Sequence, residues 1–298
     1  MRWDAESGRE GALAIPGERP AGVFTAGVAQ AYMNLYNRMP ARNAVILGSG
    51  DIGMIMARRL TLEGANVRAV LEIQPYPAGL ARNVEQCLHD FGIPLILGHT
   101  VTQICGGSRL EGVVVSAVGG NLKPVPGTQE YWPCETLILS VGLIPENELS
   151  LDAGVILDER TKGPVVNEFF ETSVPAVFAA GNVLHVHDLV DYVSLESEQM
   201  AEAVCRLLEE GRLPECPVRI VCGNGIAHTV PMAVSGENAF ELSLRVGRPG
   251  EDVRIAVVQE GREIAAKKFR RAVPAEMIRL SVDGRGIRKD RDLEVVIQ

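Results

Sequence analysis

The chain has 298 residues, 46% of them hydrophobic and 22% charged, with a net charge of −9. This is the composition of a folded protein with two or three cores, and it excludes wholesale disorder. The acidic balance argues against binding to nucleic acid or to an anionic membrane, because no basic excess is present to neutralise phosphates.

No apolar run approaches the ~20 residues that span a bilayer, and Met1 to Pro20 contains no apolar secretory core. The six cysteines, Cys87, Cys105, Cys134, Cys205, Cys216 and Cys222, form no C-x-x-C pair. A cytoplasmic protein with reduced thiols is expected.

In chain order, residues 1–10 do not read as a strand, and a short helix is predicted over Val28–Asn37 between two turn-rich stretches. From Asn43 the pattern becomes strand, turn, helix, strand: Ala44–Leu47, Asp51–Glu63 with helical apolar spacing, then Val67–Ile73. A helix over Leu80–Phe91 and a strand over Pro94–Leu97 follow. Residues 100–134 read as a β-meander with glycine turns, and Thr136–Val141 as a buried strand ending at Gly142.

Val177–Ala180 is expected to be a strand and Asp191–Glu210 a helix that stops at Gly211. Beyond Pro214 the chain turns all-β, with strands at Phe240–Val246, Val253–Val258, Glu263–Phe269, Ile278–Val282 and Leu293–Ile297. The basic run Lys267 to Arg271 suits an edge strand, since charge guards unpaired edges.

The strongest chemical signal is Val45-Ile46-Leu47-Gly48-Ser49-Gly50-Asp51-Ile52-Gly53, with Glu72 at the end of the next strand. A glycine-rich turn that follows a strand, opens a helix and precedes an acid ~20 residues on is the dinucleotide fingerprint. Gly48 allows the tight turn, Gly50 lets backbone approach a pyrophosphate, and Gly53 lets helix and strand pack closely. The amides of residues 48–53 and the helix N-terminus then face the phosphates. Glu72 would accept ribose hydroxyls and repel a 2′-phosphate, and Ile73-Gln74-Pro75 offers no arginine, so NAD is preferred to NADP.

The segment Thr172 to Asn182, ending Ala179-Ala180-Gly181-Asn182, resembles the C-terminal FAD motif of the two-dinucleotide-fold flavoproteins, the superfamily of thioredoxin reductase and the pyridine nucleotide-disulfide oxidoreductases. In that motif a Gly-Asp pair ends a strand and its acid contacts the flavin's ribityl chain. Gly181 matches, and Asn182 stands where the acid would be. Ser140-Val141-Gly142 to Asn147 resembles the return from NAD to FAD domain, and Ile15-Pro16-Gly17 with Gly22 to Ala26 resembles the crossover into the NAD domain. The likeness spans about residues 11–210. It looks nearest to bacterial FAD-dependent oxidoreductases that lack the redox disulfide and work beside a flavin dehydrogenase subunit.

The resemblance implies a Rossmann-like NAD-binding domain inserted in a partial FAD-binding domain, plus a small C-terminal all-β, sandwich-like domain. The expected division is 1–41 (remnant of the FAD domain and crossover), 42–142 (NAD-binding), 143–212 (C-terminal half of the FAD domain) and 213–298 (sandwich). It implies NAD and FAD as cofactors, with Gly48, Ser49, Gly50, Asp51, Ile52, Gly53, Glu72, Gly142, Gly181 and Asn182 in contact with them. No first G-x-G-x-x-G precedes Gly48, so the expectation is that either the reading frame is truncated or another chain supplies the half that binds the ADP of FAD.

The pair His185-Val186-His187-Asp188 offers two imidazoles and a carboxylate, but no third or fourth ligand stands at motif spacing, and no metal is expected. A loop lining the redox site and a purely structural loop both remain open. No residue stands out as acid, base or nucleophile, so none is assigned a catalytic role. The expected function is a component that passes hydride from NADH to a flavin and on to a partner subunit or small acceptor. A non-catalytic NAD-binding or interaction module is the alternative, and a homo-oligomer is compatible with either.

Overall fold

The computed structural model describes residues 5–7 and 13–298. The chain divides into two compact units, one of residues 7–144 and the other of residues 145–298 together with 1–6.

The first short strand, β1, is Ala5–Ser7, where the sequence suggested none. It pairs with Leu143–Pro145, a partner that three residues of local pattern cannot reveal. The expectation of no strand within 1–10 is corrected to that extent.

The unit of residues 7–144 is built on a five-stranded, all-parallel sheet. Its members are β2 (Val23–Thr25), β3 (Asn43–Leu47), β4 (Asn66–Glu72), β5 (Leu95–Leu97) and, after the meander, β9 (Thr136–Leu139), in the spatial order β2-β9-β3-β4-β5. Helix α1 (Ala26–Asn34) starts where Thr25 Oγ accepts the Val28 N–H at 3.3 Å, an ordinary N-cap. Helix α2 (Asp51–Leu62) joins β3 to β4.

Alternate residues of the buried strands serve different cores. Ala44, Ile46 and Ile138 pack with Met54, Leu60 and Leu88 on the helical side. Val45, Leu47, Leu137 and Leu139 pack with Val101, Val113 and Val115 on the other. The latter come from β6 (His99–Cys105) and β7 (Gly112–Ala117), which with β8 (Glu130–Pro133) form an antiparallel meander.

The helix predicted over Leu80–Phe91 is one turn of α-helix (Ala81–Asn83), a π-turn (Val84–Leu88) and a 3-10 turn (His89–Phe91). Burial of Cys87 and Leu88 against the first core sets this winding.

In the unit containing residues 145–298, β10 (Leu143–Pro145) leads to a short helical turn at Glu148–Asp152, and α3 (Val190–Glu210) ends on left-handed Gly211. Val177–Ala180 is not a strand. It makes one isolated bridge, Phe178 to Glu171, with the Ala179 N–H donating to the Phe170 carbonyl at 3.1 Å and the Val177 carbonyl accepting the Thr172 N–H at 2.8 Å, a pairing too short to form a ladder.

The remainder is two packed sheets. One is β13 (Ala233–Val234), β11 (Val218–Cys222), β18 (Leu293–Ile297), β15 (Gly250–Gln259) and β16 (Arg262–Ala272) in that spatial order. The other is β12 (Ile226–Val230), β14 (Phe240–Val246) and β17 (Ile278–Val282). Leu242, Leu244, Leu280, Ile255, Val257 and Val295 meet between them. Strand β16 lies at the edge, with Lys267, Lys268, Arg270 and Arg271 exposed.

Candidate functional site

The turn from β3 into α2 is held in one shape by contacts that glycine alone permits. Gly48 has φ of +96°, and a Cβ there would run into the Ser140 carbonyl. A Cβ on Gly53 would lie 2.5 Å from the Ser140 Cβ, while its N–H donates to Ser140 Oγ at 3.0 Å. Gly50 is the N-cap of α2 and supplies no side chain. The first intrahelical bond runs from Met54 N to Gly50 O at 3.1 Å, so the amides of Gly50, Asp51 and Ile52 have no acceptor within the helix.

A cavity of about 500 Å³ opens at this turn, lined by Gly48, Gly50, Glu72, Ser140 and Gly142 together with apolar side chains such as Val101. Among the described residues its one charged lining residue is Glu72. Gly142 has φ of +103° and open space around its missing Cβ, so conformation alone calls for glycine there.

Glu72 is 4% exposed. Its Oε2 accepts the Ser49 N–H at 3.0 Å and the Ser49 hydroxyl at 2.6 Å, and Oε1 accepts the Gln74 N–H at 2.9 Å. A carboxylate has about four acceptor positions, so one on Oε1 stays open to a ligand. Ser49 is fully buried, and its Oγ also accepts the Ala78 N–H at 2.8 Å. Its side chain braces the turn and is spent on protein partners.

Asp51 does similar work, accepting the Leu80 N–H at 2.8 Å and the Asn83 amide at 2.6 Å. Gly79 packs so closely that a Cβ would meet Asp51 N at 2.9 Å. Ser140 stood out only as the start of the return segment, and the 78–80 loop carries no motif, so spacing could not disclose their contacts with the turn.

The second segment lies in the other unit. Gly181 is buried with φ of +74°, and its N–H donates to Glu196 Oε1 at 2.6 Å. Asn182 Oδ1 accepts the His187 N–H at 3.0 Å. The oxygen that stands in for the family's acid is therefore engaged within the chain.

The four residues 185–188 part company. Asp188 accepts from Arg245 Nη2 and from the Met277 N–H, both at 3.1 Å. His185 and His187 instead converge on Glu196 of α3. Burial on its own would raise the Glu196 carboxyl, but hydrogen bonds from the two imidazoles outweigh it and hold the group down to about 2.

All six cysteines are free thiols. Burial pushes Cys134 up to about 11 and Cys216 up to about 12. Neither forms the thiolate that disulfide exchange requires near neutral pH.

Residues 7–204 match the family described as "Pyridine nucleotide-disulphide oxidoreductase". The chain is 30% identical over 187 residues to an NAD(P)H coenzyme A polysulfide/persulfide reductase of Pyrococcus horikoshii, covering 59% of this chain and 38% of that protein. It is 27% identical over 185 residues to an NADH oxidase of Methanocaldococcus jannaschii, covering 59% and 38%. The chain thus spans well under half the length of either relative.

Among solved structures, T. acidophilum thioredoxin reductase superposes with a TM-score of 0.55 at 24% identity, over 67% of this chain and 62% of the other. A NAD-dependent persulfide reductase from A. fulgidus gives 0.53 at 19% identity, over 94% and 50%. These likenesses establish the flavoprotein oxidoreductase fold, whose family members bind FAD and NAD(P). With two thirds of its length matched, the chain belongs to the pyridine nucleotide-disulphide oxidoreductase family.

Proposed function

We propose that this chain is the NAD(H)-binding component of a flavoprotein oxidoreductase. The observation that carries the reading is the cavity at the β3–α2 turn, where Gly50, the first of the helix's unpaired amides, and the buried Glu72 carboxylate line one space. The amides of Gly50, Asp51 and Ile52 hold the pyrophosphate, aided by the helix dipole. The open acceptor of Glu72 takes a ribose hydroxyl. Among the described residues no lysine or arginine lines the cavity, which favours NAD over NADP.

NADH held there would supply a hydride for a flavin, with electrons continuing to a partner subunit or small acceptor. Gly48, Ser49 and Gly53 fix the turn, and Gly142 shapes the cavity's far wall. Gly181 and Asn182 are assigned to the flavin side, where the Asn182 oxygen would have to give up His187.

That engagement favours a second reading, a non-catalytic NAD-binding module. NADH titration of the whole chain, followed by nicotinamide fluorescence, tests the common part. Binding that disappears in Gly50→Val, with the circular dichroism unchanged, supports the site, and equal affinity in the variant overturns it. Flavin in the purified protein with NADH-dependent dye reduction favours the enzyme. Colourless protein that binds NADH favours the module.

A further inference from the structure

His187 sits between two oxygens. Its Nδ1 lies 3.3 Å from Asn182 Oδ1, and its Nε2 lies 3.2 Å from Glu196 Oε2. The Asn182 amide cannot be turned over to relieve this, because Oδ1 already accepts the His187 backbone N–H. A neutral imidazole has one N–H and one lone pair, so one of its two contacts sets lone pair against lone pair. A second ring proton would remove the conflict, and so would a cation between Nε2 and Oε2, which leaves Nδ1–H to donate to Asn182.

His185 brings a second imidazole to the same oxygen, with Nε2 at 2.7 Å from Glu196 Oε2. The ligand atoms of His185, His187 and Glu196 all lie within 4.8 Å of one another, and the three side chains are 1%, 2% and 7% exposed. Two imidazole nitrogens and one carboxylate are the donor set of open zinc sites and of related iron sites.

Two further observations point to a ligand here. A cavity of about 10 Å³ borders His187 and Glu196, beside Tyr192 and Gln199. That is close to the least space that holds one water, which would complete a four-coordinate ion. Asn182 in turn orients the His187 ring, as outer partners of ligating histidines commonly do.

We infer that His185 Nε2, His187 Nε2 and Glu196 Oε2 form a binding site for a divalent transition-metal ion of the zinc class. The ion pins the 181–187 turn to α3 and takes a water as its fourth ligand. The sequence spacing concealed the site because Glu196 comes nine residues after His187, one helix entry later, while the nearer carboxylate, Asp188, belongs to Arg245. The site is independent of the NAD(H) reading, since none of its residues lies in the β3–α2 turn.

The test uses the whole chain, stripped with a chelator, dialysed and titrated with Co2+ and then Zn2+. The expected result is uptake of one ion per chain, visible Co2+ absorption typical of nitrogen and oxygen ligands, and a higher melting temperature with metal than with chelator. His187→Ala and Glu196→Gln lose the absorption and the metal-dependent shift while retaining NADH binding, and His89→Ala, an exposed histidine, retains both. Folded wild-type protein that takes up neither ion overturns the proposal whatever the variants do. Uptake unchanged in Glu196→Gln and His187→Ala overturns it as well.

Discussion

Ser140 Oγ accepts the Gly53 N–H at 3.0 Å, tying the first turn of α2 to the end of β9 and closing the space where residue 53 would carry a side chain. An alanine Cβ there would lie 2.5 Å from Ser140 Cβ and 2.9 Å from the Gly48 carbonyl oxygen. Gly53→Ala is expected to cost about 2 kcal/mol of stability in urea unfolding, typical of overpacking. Adding Ser140→Gly should recover part of that loss, because it removes the nearer obstruction. A double variant no more stable than Gly53→Ala would show that Ser140 is not the limiting contact.

Glu72→Ala leaves three donors, Ser49 N, Ser49 Oγ and Gln74 N, without their acceptor. Each lost bond to a charged acceptor is worth about 1.5–3 kcal/mol, and water entering the cavity returns part of it. The expected net loss is about 3 kcal/mol, with weaker NADH binding. Glu72→Gln keeps an acceptor for Ser49 and should fall between the two. NADH affinity equal to wild type in both variants would remove Glu72 from the ribose site.

Thiol chemistry follows burial. Cys205 is exposed, whereas Cys134 and Cys216 sit at about 11 and about 12. At pH 8 a thiol at 11 is ionised to about one part in a thousand. Iodoacetamide on the native protein should therefore label Cys205 first, and mass spectrometry should find Cys134 and Cys216 unmodified until the chain unfolds. Early labelling of Cys216 would contradict its burial.

Glu168 keeps one oxygen, Oε2, buried without a partner while Oε1 accepts the Ser235 N–H at 3.1 Å. Burial raises its pKa above the ordinary 4.5, with the Ser235 hydrogen bonds opposing. The folded chain then holds a proton that the unfolded chain has already released. Its contribution to stability is complete below pH 4.5 and is lost as pH rises through the folded value. Glu168→Gln should gain on wild type in melting temperature between pH 4 and pH 8. A difference that does not change with pH would exclude this titration.

The parallel sheet was legible because glycine spacing and buried β-branched runs mark the same places. Val45 to Gly53, followed by Glu72, needs no tertiary information to suggest a turn that seats a phosphate. The flavin-type motif at Gly181 was legible as a pattern, yet its preceding strand was not realised, since its pairing with residues 170–172 stops at one isolated bridge.

Strands β11 and β12 escaped the reading partly because Val221 is 45% exposed, an outward apolar residue that blurs alternation. Glu196 was hidden for a related reason. A charge in a helix reads as solvent-facing, and only the Gly181 N–H and the two imidazole nitrogens gathered around Glu196 make its burial tolerable.

Strand β16 runs for 11 residues along the rim of its sheet and would offer any extended peptide a ladder of open amides and carbonyls. The cations at Lys267, Lys268, Arg270 and Arg271 make that ladder inhospitable to another copy of itself, which would bring the same sign of charge. Crowded preparations should accordingly stay clear in dilute buffer and turn cloudy as added salt mutes the repulsion.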